Sequence, residues 1–258
     1  MPSSIFPRAY GFIYAVIVIF ILAYLWHSKK ITRKNTIPVL IFSTLLGFLI
    51  YSPLAPHNFQ SLLLKSTERI GAPLLAAAVG MGILLVLTFL FGRIFCGHIC
   101  PVGTVQELVS LLPVKQYGRK LKKETLAIRS VVFVITVAAA LLYSFGVVDL
   151  FGINDFFHLT ITTASGIFVA VLLISVFFYR PFCRFICPFG LILAIVAAFS
   201  VYKIRRTDYC TDCGRCEKVC PVDEVKFGDK RAECFMCGRC IEKCGYSGAI
   251  RYGREDKK

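Results

Sequence analysis

The chain is short of charge, and shortest of negative charge: 17% of its residues are charged, with fifteen carboxylates against thirty lysines and arginines. Beside 57% hydrophobic residues and a mean hydropathy of +0.70, so little charge excludes an ordinary soluble domain. Histidine is scarce as well, four in 258 residues. His27 and His98 fall at one membrane level and His57 and His158 at the other, with no helix carrying an evident axial pair, so haem is not expected. Three methionines do not make the methionine-rich path that favours copper. No phosphate loop, dinucleotide fingerprint or serine triad stands out, so nicotinamide or flavin chemistry would have to come from a partner. The balance of +15 does not point to nucleic acid, because the basic residues cluster beside apolar stretches, where retention on the cytoplasmic side explains them.

What the chain does have is long apolar runs. Five stretches, Tyr10–Trp26, Ile37–Leu54, Ala72–Phe91, Val131–Val148 and Leu159–Tyr179, approach the roughly 20 residues that cross a bilayer as a helix. Basic segments follow the first ("HSKKITRKN") and the third ("VKQYGRKLKKETLAIRS"), whereas residues 52–70 and 151–158 carry little positive charge. The positive-inside rule then predicts a multi-pass protein of the cytoplasmic (inner) membrane, N-terminus outside and C-terminus in the cytoplasm. The first stretch reads as an uncleaved anchor, since its basic cluster follows it and no small-residue cleavage pattern is evident.

The third and fifth stretches are copies. Leu84–Gly103 aligned on Val171–Gly190 gives nine identities in twenty, including Arg93/Arg180, both cysteines, the proline and the glycine of "FCGHICPVG" and "FCRFICPFG". Both units run in the same direction, so a parallel repeat about the membrane normal brings Cys96, Cys100, Cys183 and Cys187 together. Four thiols there suit a third iron-sulfur cluster, Cu(I) or zinc, a reversible thiol pair, or plain packing. Helical spacing puts each pair on one face, and Pro101 and Pro188 limit the helix at the second cysteine. Arg93 and Arg180 either offset the charge of such a site or mark the ends of spans. Thr104–Val114 and Leu191–Tyr202, too short to span comfortably, read as interfacial helices.

The remaining eight of twelve cysteines lie in the tail. Cys210, Cys213, Cys216 and Cys220-Pro221 follow C-x2-C-x2-C-x3-C-P, and Cys234, Cys237, Cys240 and Cys244 repeat the spacing with Gly245 in place of proline. Zinc also uses C-x2-C pairs, but two complete ferredoxin runs in tandem favour two [4Fe-4S] clusters. In that arrangement the fourth ligand crosses over: Cys210, Cys213, Cys216 and Cys244 hold one cluster, and Cys234, Cys237, Cys240 and Cys220 the other. Such a spacing next to basic, inward-facing segments indicates a reducing compartment rather than disulfides. A unit of about fifty residues has little core, so the clusters would also staple it.

Together these motifs resemble those of NapH/NosR-type polytopic membrane 4Fe-4S ferredoxin subunits over about Ile37 to Ile250. The resemblance implies a redox subunit of a larger, quinol-dehydrogenase-like oxidoreductase complex. Its partners would be the lipid bilayer, other redox subunits and menaquinone or ubiquinone, but no nucleic acid. A related group linked to copper handling supplies the alternative, a copper-handling or metal-reducing assembly factor using the C-x3-C-P cysteines. Quinone or proton candidates are His98, which Phe185 replaces in the second unit, and Asp149 with Asp155 and His158 at the outer side. The expected fold is membrane α-helical, about five transmembrane helices with a parallel internal repeat, plus a small cytoplasmic two-cluster ferredoxin-like α+β domain. Its divisions are an anchor and basic loop (1–36), a first repeat (37–114), a linker and second repeat (115–202) and the ferredoxin domain (203–258).

Overall fold

The structure, a computed structural model, describes residues 5–31, 33–50, 55–66, 73–114, 116–118, 121–246 and 248–254. Among them three helices are long and apolar enough to cross a membrane: α1 (Ile5–His27), α4 (Leu74–Phe91) and α7 (Lys122–Tyr143). Between the first two, α2 (Arg33–Ile50) and α3 (Ala55–Leu63) form a pair bent by 43° that qualifies as a fourth span when taken together. The expected second stretch ended at Leu54; residues 51–54, like Ala72 at the start of the third, lie outside the described residues. A short helix α8 (Ile153–Phe157) precedes α9 (Thr163–Phe177), which is 15 residues long and so shorter than the expected Leu159–Tyr179. Its start is set late by a reciprocal capping box between Thr162 and Ser165. Leu49, Leu75, Leu142 and Leu173 stand exposed on these helices, as lipid contact requires.

At each C-x3-C-P motif the chain turns back. The first runs through α5 (Ile94–His98) into α6 (Pro101–Val109); the second runs through a π-helical turn (Phe182–Ile186) into α10 (Pro188–Ala198). Cys100 and Cys187 are extended, with ψ of 117° and 110°, and each caps a helix whose first residue is the proline. Proline suits that position because it lacks only a donor that would be unpaired anyway. The two cysteines of a pair therefore do not share one helix, as simple i, i+4 spacing predicted; the first helical turn ends before the second cysteine, and the proline just after that cysteine starts a new helix. It also starts α6 and α10 three residues before the expected 104 and 191.

Both returning helices are largely buried against the rest of the chain. Antiparallel contact holds α6 against α2: Thr44 shares a 2.8 Å hydroxyl hydrogen bond with Thr104, and a side chain on Gly47 would strike Pro101. Ser43 donates to the His98 carbonyl at 2.8 Å.

The tail has little regular structure: β1 (Lys203–Arg206) pairs antiparallel with β2 (Ile250–Gly253), around helices α11 (Arg215–Val219) and α12 (Arg239–Lys243). It is seated on the helices at several points. Tyr252 donates to the Phe91 carbonyl at 3.0 Å, and Trp26 of α1 lies where a Cβ on Gly238 would be. The closest approach is at Gly97, where a Cβ would fall 2.1 Å from the Phe235 carbonyl oxygen. The glycine inside "FCGHICP" is thus a docking point for the tail. Gly97→Ala should push the two apart at a cost of about 1–3 kcal/mol, read as faster limited proteolysis of the tail in intact membranes. Unchanged cleavage would count against this docking.

Candidate metal centres

The duplicated motifs meet. Cys96, Cys100, Cys183 and Cys187 line one cavity, closed by Ala55, Pro56, Arg93 and Phe182 among others. Three helix N-termini converge on it, those of α3, α6 and α10, each of which lines the wall with a residue of its first turn (Ala55, Val102, Phe189). Aligned peptide dipoles make such ends electropositive, and together they favour negative charge at the centre. Individual sulfurs also accept hydrogen bonds: Gly190 N–H reaches Cys187 Sγ at 3.3 Å and Gln106 Nε2 reaches Cys183 Sγ at 3.4 Å. Gln106 belongs to the first repeat and Cys183 to the second; its Oε1 also accepts from Phe182 N–H at 3.1 Å, so one buried amide ties the halves together. Gly103 is required here too, because a Cβ would lie 2.5 Å from the Cys96 carbonyl oxygen.

Burial pushes the Cys100 thiol up to about 12 and the Cys183 thiol up to about 11. Thiols held that high are weak nucleophiles. Thiolate character at this spot depends on a cation among the sulfurs, as a metal or an iron-sulfur core would provide.

Around the cavity is a buried ionic frame. Arg93 donates to Glu233 Oε2 at 3.1 Å, and Arg129 of α7 pairs with the same carboxylate. The repeat-related Arg180 has a different partner, Glu107 of the first repeat, which accepts from Arg180 at 2.9 Å and from Arg239 of the tail at 3.2 Å. Arg180 also donates to the Cys96 and Gly97 carbonyls at 2.5 and 2.7 Å. Burial raises both carboxyls, but the flanking guanidiniums more than reverse this, holding Glu107 and Glu233 below the usual range. Four guanidiniums against two carboxylates leave the frame positive. The repeat-related Arg93 and Arg180 lie over the ring of Phe235, at 4.3 and 4.9 Å from its centroid. Both are buried and hold the tail through that ring, Arg93 also through Glu233.

Two further cavities lie in the tail. Cys220, Cys234, Cys237 and Cys240 line one, with Phe235, Tyr179 and Arg239; Cys210, Cys213, Cys216 and Cys244 line the other. The crossing-over has a simple origin: Cys220 and Cys244 end the short helices α11 and α12, which pack on each other. Cys216 Sγ accepts from Arg206 and Cys220 Sγ from the Glu224 N–H, both at 3.4 Å. Among the described residues no three His, Cys, Asp or Glu side chains are grouped tightly enough to hold a single metal ion.

The remaining candidates are not brought together. His98 is buried beside Thr36, Ile37, Glu107 and Cys237, with its Nδ1 lacking a partner, and burial lowers its pKa to about 4. Asp149 lies instead 3.6 Å from His57, whose ring also meets Asn154 Nδ2 at 3.0 Å. His158 is exposed at the end of α8, and Asp155 bonds the Thr162 hydroxyl at 2.5 Å. Sequence reasoning missed Gln106, Glu107, Arg129 and Glu233. A carboxylate or amide in an apolar segment was the signal available for the first two; nothing local marked the others.

Comparison with known proteins fits this chemistry. Residues 73–120 and 160–207 match a family described as a 4Fe-4S binding domain, and residues 204–223 match another of the same description. The chain is 32% identical over 191 residues to YccM of Escherichia coli, covering 65% of this chain and 53% of that protein. To MJ0749 of Methanocaldococcus jannaschii it is 33% identical over 194 residues, 71% of this chain and 73% of that one. The ferredoxin-type protein NapH of Haemophilus influenzae is 26% identical over 226 residues, 72% of this chain and 76% of NapH. The chain thus spans about half the length of the first of these relatives and about three quarters of the others. No solved structure matches. Apolar helices together with matches to 4Fe-4S binding domains define an iron-sulfur protein of the membrane. The chain belongs to the NapH/NosR-type family of ferredoxin-like membrane proteins.

Glu233→Gln leaves two buried guanidiniums without their shared counter-charge and should cost about 3–5 kcal/mol. The readout is a lowered unfolding temperature and loss of tail protection in detergent. Asp223→Asn, at the exposed Lys226 pair, is the control. Equal behaviour of the two variants would refute a buried ionic frame.

Proposed function

We propose that the protein passes electrons between a quinone pool or a membrane redox partner and two [4Fe-4S] clusters in a cytoplasmic tail, through a third cluster at Cys96, Cys100, Cys183 and Cys187. The observation that carries this reading is the succession of cavities, each lined by four cysteines. Arg93 lines the one among the helices and stacks on Phe235, which lines the next. The sets proposed in the tail are Cys234, Cys237, Cys240 with Cys220, and Cys210, Cys213, Cys216 with Cys244. Clusters held there supply one-electron chemistry.

The chain's own residues suit that task. Helix N-termini, the positive frame and N–H donors to sulfur all stabilise a net anion, which a cubane with four thiolates is. The rival reading, a copper or zinc site at the C-x3-C-P cysteines, calls for thiolates converging on one ion at about 2.3 Å. For a quinol donor we assign contact to His98, buried beside Cys237 and unpartnered at Nδ1. Basic segments after the first and third spans support a tail on the cytoplasmic side.

Iron and acid-labile sulfide on anaerobically purified protein decide the number of centres. About twelve iron atoms per chain are expected, falling to about eight in Cys96→Ser/Cys183→Ser with the tail spectra retained. An unchanged count in that double variant would sink the third cluster. His98→Phe, which restores the residue of the second repeat, should slow cluster reduction by a quinol several-fold at constant iron content. An unaltered rate would remove His98 from the quinol site.

A further inference from the structure

A groove of about 1190 Å³ opens where β1, β2 and residues 226–231 face the end of α1. Nine lysines and arginines line it against two aspartates; Lys29, Lys226, Lys230, Arg251 and Arg254 are among them. One of the aspartates, Asp229, is turned to Lys122 at 3.1 Å and to the Lys226 N–H at 2.9 Å, which leaves the groove strongly cationic. One of its walls is also a wall of the cavity holding Cys210, Cys213, Cys216 and Cys244. Arg206 lines both, donating to Cys216 Sγ at 3.4 Å while Asp212 holds its other arm at 2.6 Å. Tyr209, next to Cys210, and Phe227 line the groove at 77% and 59% exposure. Exposed aromatic rings among arginines are the composition of protein contact surfaces.

We propose that this groove docks an acidic one-electron carrier protein, bringing its redox group against the Cys210, Cys213, Cys216 and Cys244 centre with Arg206 between them. The inference rests on the reading that this centre is a cluster that exchanges electrons. Charge complementarity selects the occupant: a cationic surface steers an acidic partner and fixes its orientation. An anionic bilayer surface is the other match for the charge. The wall with Tyr209 and Arg206, however, comes from β1 and the turn that leads into the Cys210 motif, and not from the spanning helices. In the exchange one electron leaves the reduced carrier and reduces the oxidised cluster; no bond forms or breaks and no proton is required.

The test uses cluster-loaded protein in nanodiscs of neutral phosphatidylcholine, with an acidic flavodoxin as the probe. Binding is read by fluorescence anisotropy, and electron delivery by stopped-flow absorbance. Saturable binding should weaken at least tenfold as ionic strength rises from about 0.05 to about 0.5 M. Lys226→Glu/Lys230→Glu/Arg254→Glu should weaken it at least tenfold at low salt, with iron content and photoreduction by a neutral deazaflavin unchanged. Absence of binding by the wild type, or equal binding by the charge-reversed variant, overturns the proposal. So does loss of binding when phosphatidylglycerol replaces part of the neutral lipid, since the groove would then serve the bilayer surface. Failure of the wild-type clusters to photoreduce would instead sink the electron-transfer reading, while the binding result would still judge the surface.

Discussion

Negative charge on sulfur inside an apolar bundle is the constraint on which the rest of the structure depends. Burial, with the neighbouring thiols, drives Cys100 and Cys183 towards the neutral thiol, and an isolated buried anion would cost several kcal/mol. The chain answers with fixed positive potential from three directions: helix N-termini, N–H donors to sulfur and a frame of guanidiniums in excess over carboxylates. Each contribution needs the backbone to turn back on itself beside the cysteines. That explains why the motif is not a continuous helix and why proline follows the second cysteine each time.

The repeat makes this economical. Two copies of one turn deliver four thiols, two prolines that start two helices, and two arginines that meet on the same ring. The copies differ where the tail sits. Gly97 lets the Phe235 carbonyl approach, whereas Arg184, its counterpart, turns to the Gly118 carbonyl and the Thr125 hydroxyl. Symmetry thus serves the centre, and its local loss gives the tail one seat instead of two.

Much of this was legible in the sequence because cysteine spacing is a geometric statement. Duplicated C-x3-C-P pairs predicted four thiols in one place, and the tandem ferredoxin runs predicted crossed sets; the cavities are lined by those residues. The apolar runs located the long helices, but length alone did not reveal that Ala55–Leu63 folds as a buried helix instead of a polar outer loop. Its residues His57, Gln60 and Ser61 look solvent-facing until Asn154 and the Val148 N–H are seen to meet them. Contacts such as Arg93 with Glu233, 140 residues apart, carry no local pattern at all.

The ionic frame also ties the tail to the helices despite the tail's sparse regular structure. Glu233 belongs to the tail, Arg93 and Arg129 to the helices; Arg239 belongs to the tail, Glu107 to the helices. Each half buries charge that only the other half neutralises, so separating them exposes unpaired ions as well as apolar surface. A buried ion pair contributes modestly when formed, but breaking it by removing one partner is expensive. The pairing therefore acts chiefly through specificity: it rejects any seating of the tail that leaves Glu233 away from Arg93 and Arg129. Because Arg93 also forms part of the four-cysteine wall, a misplaced tail would disturb the charge around that centre directly. The contact that positions the tail cysteines is the same one that sets the potential at the thiols among the helices.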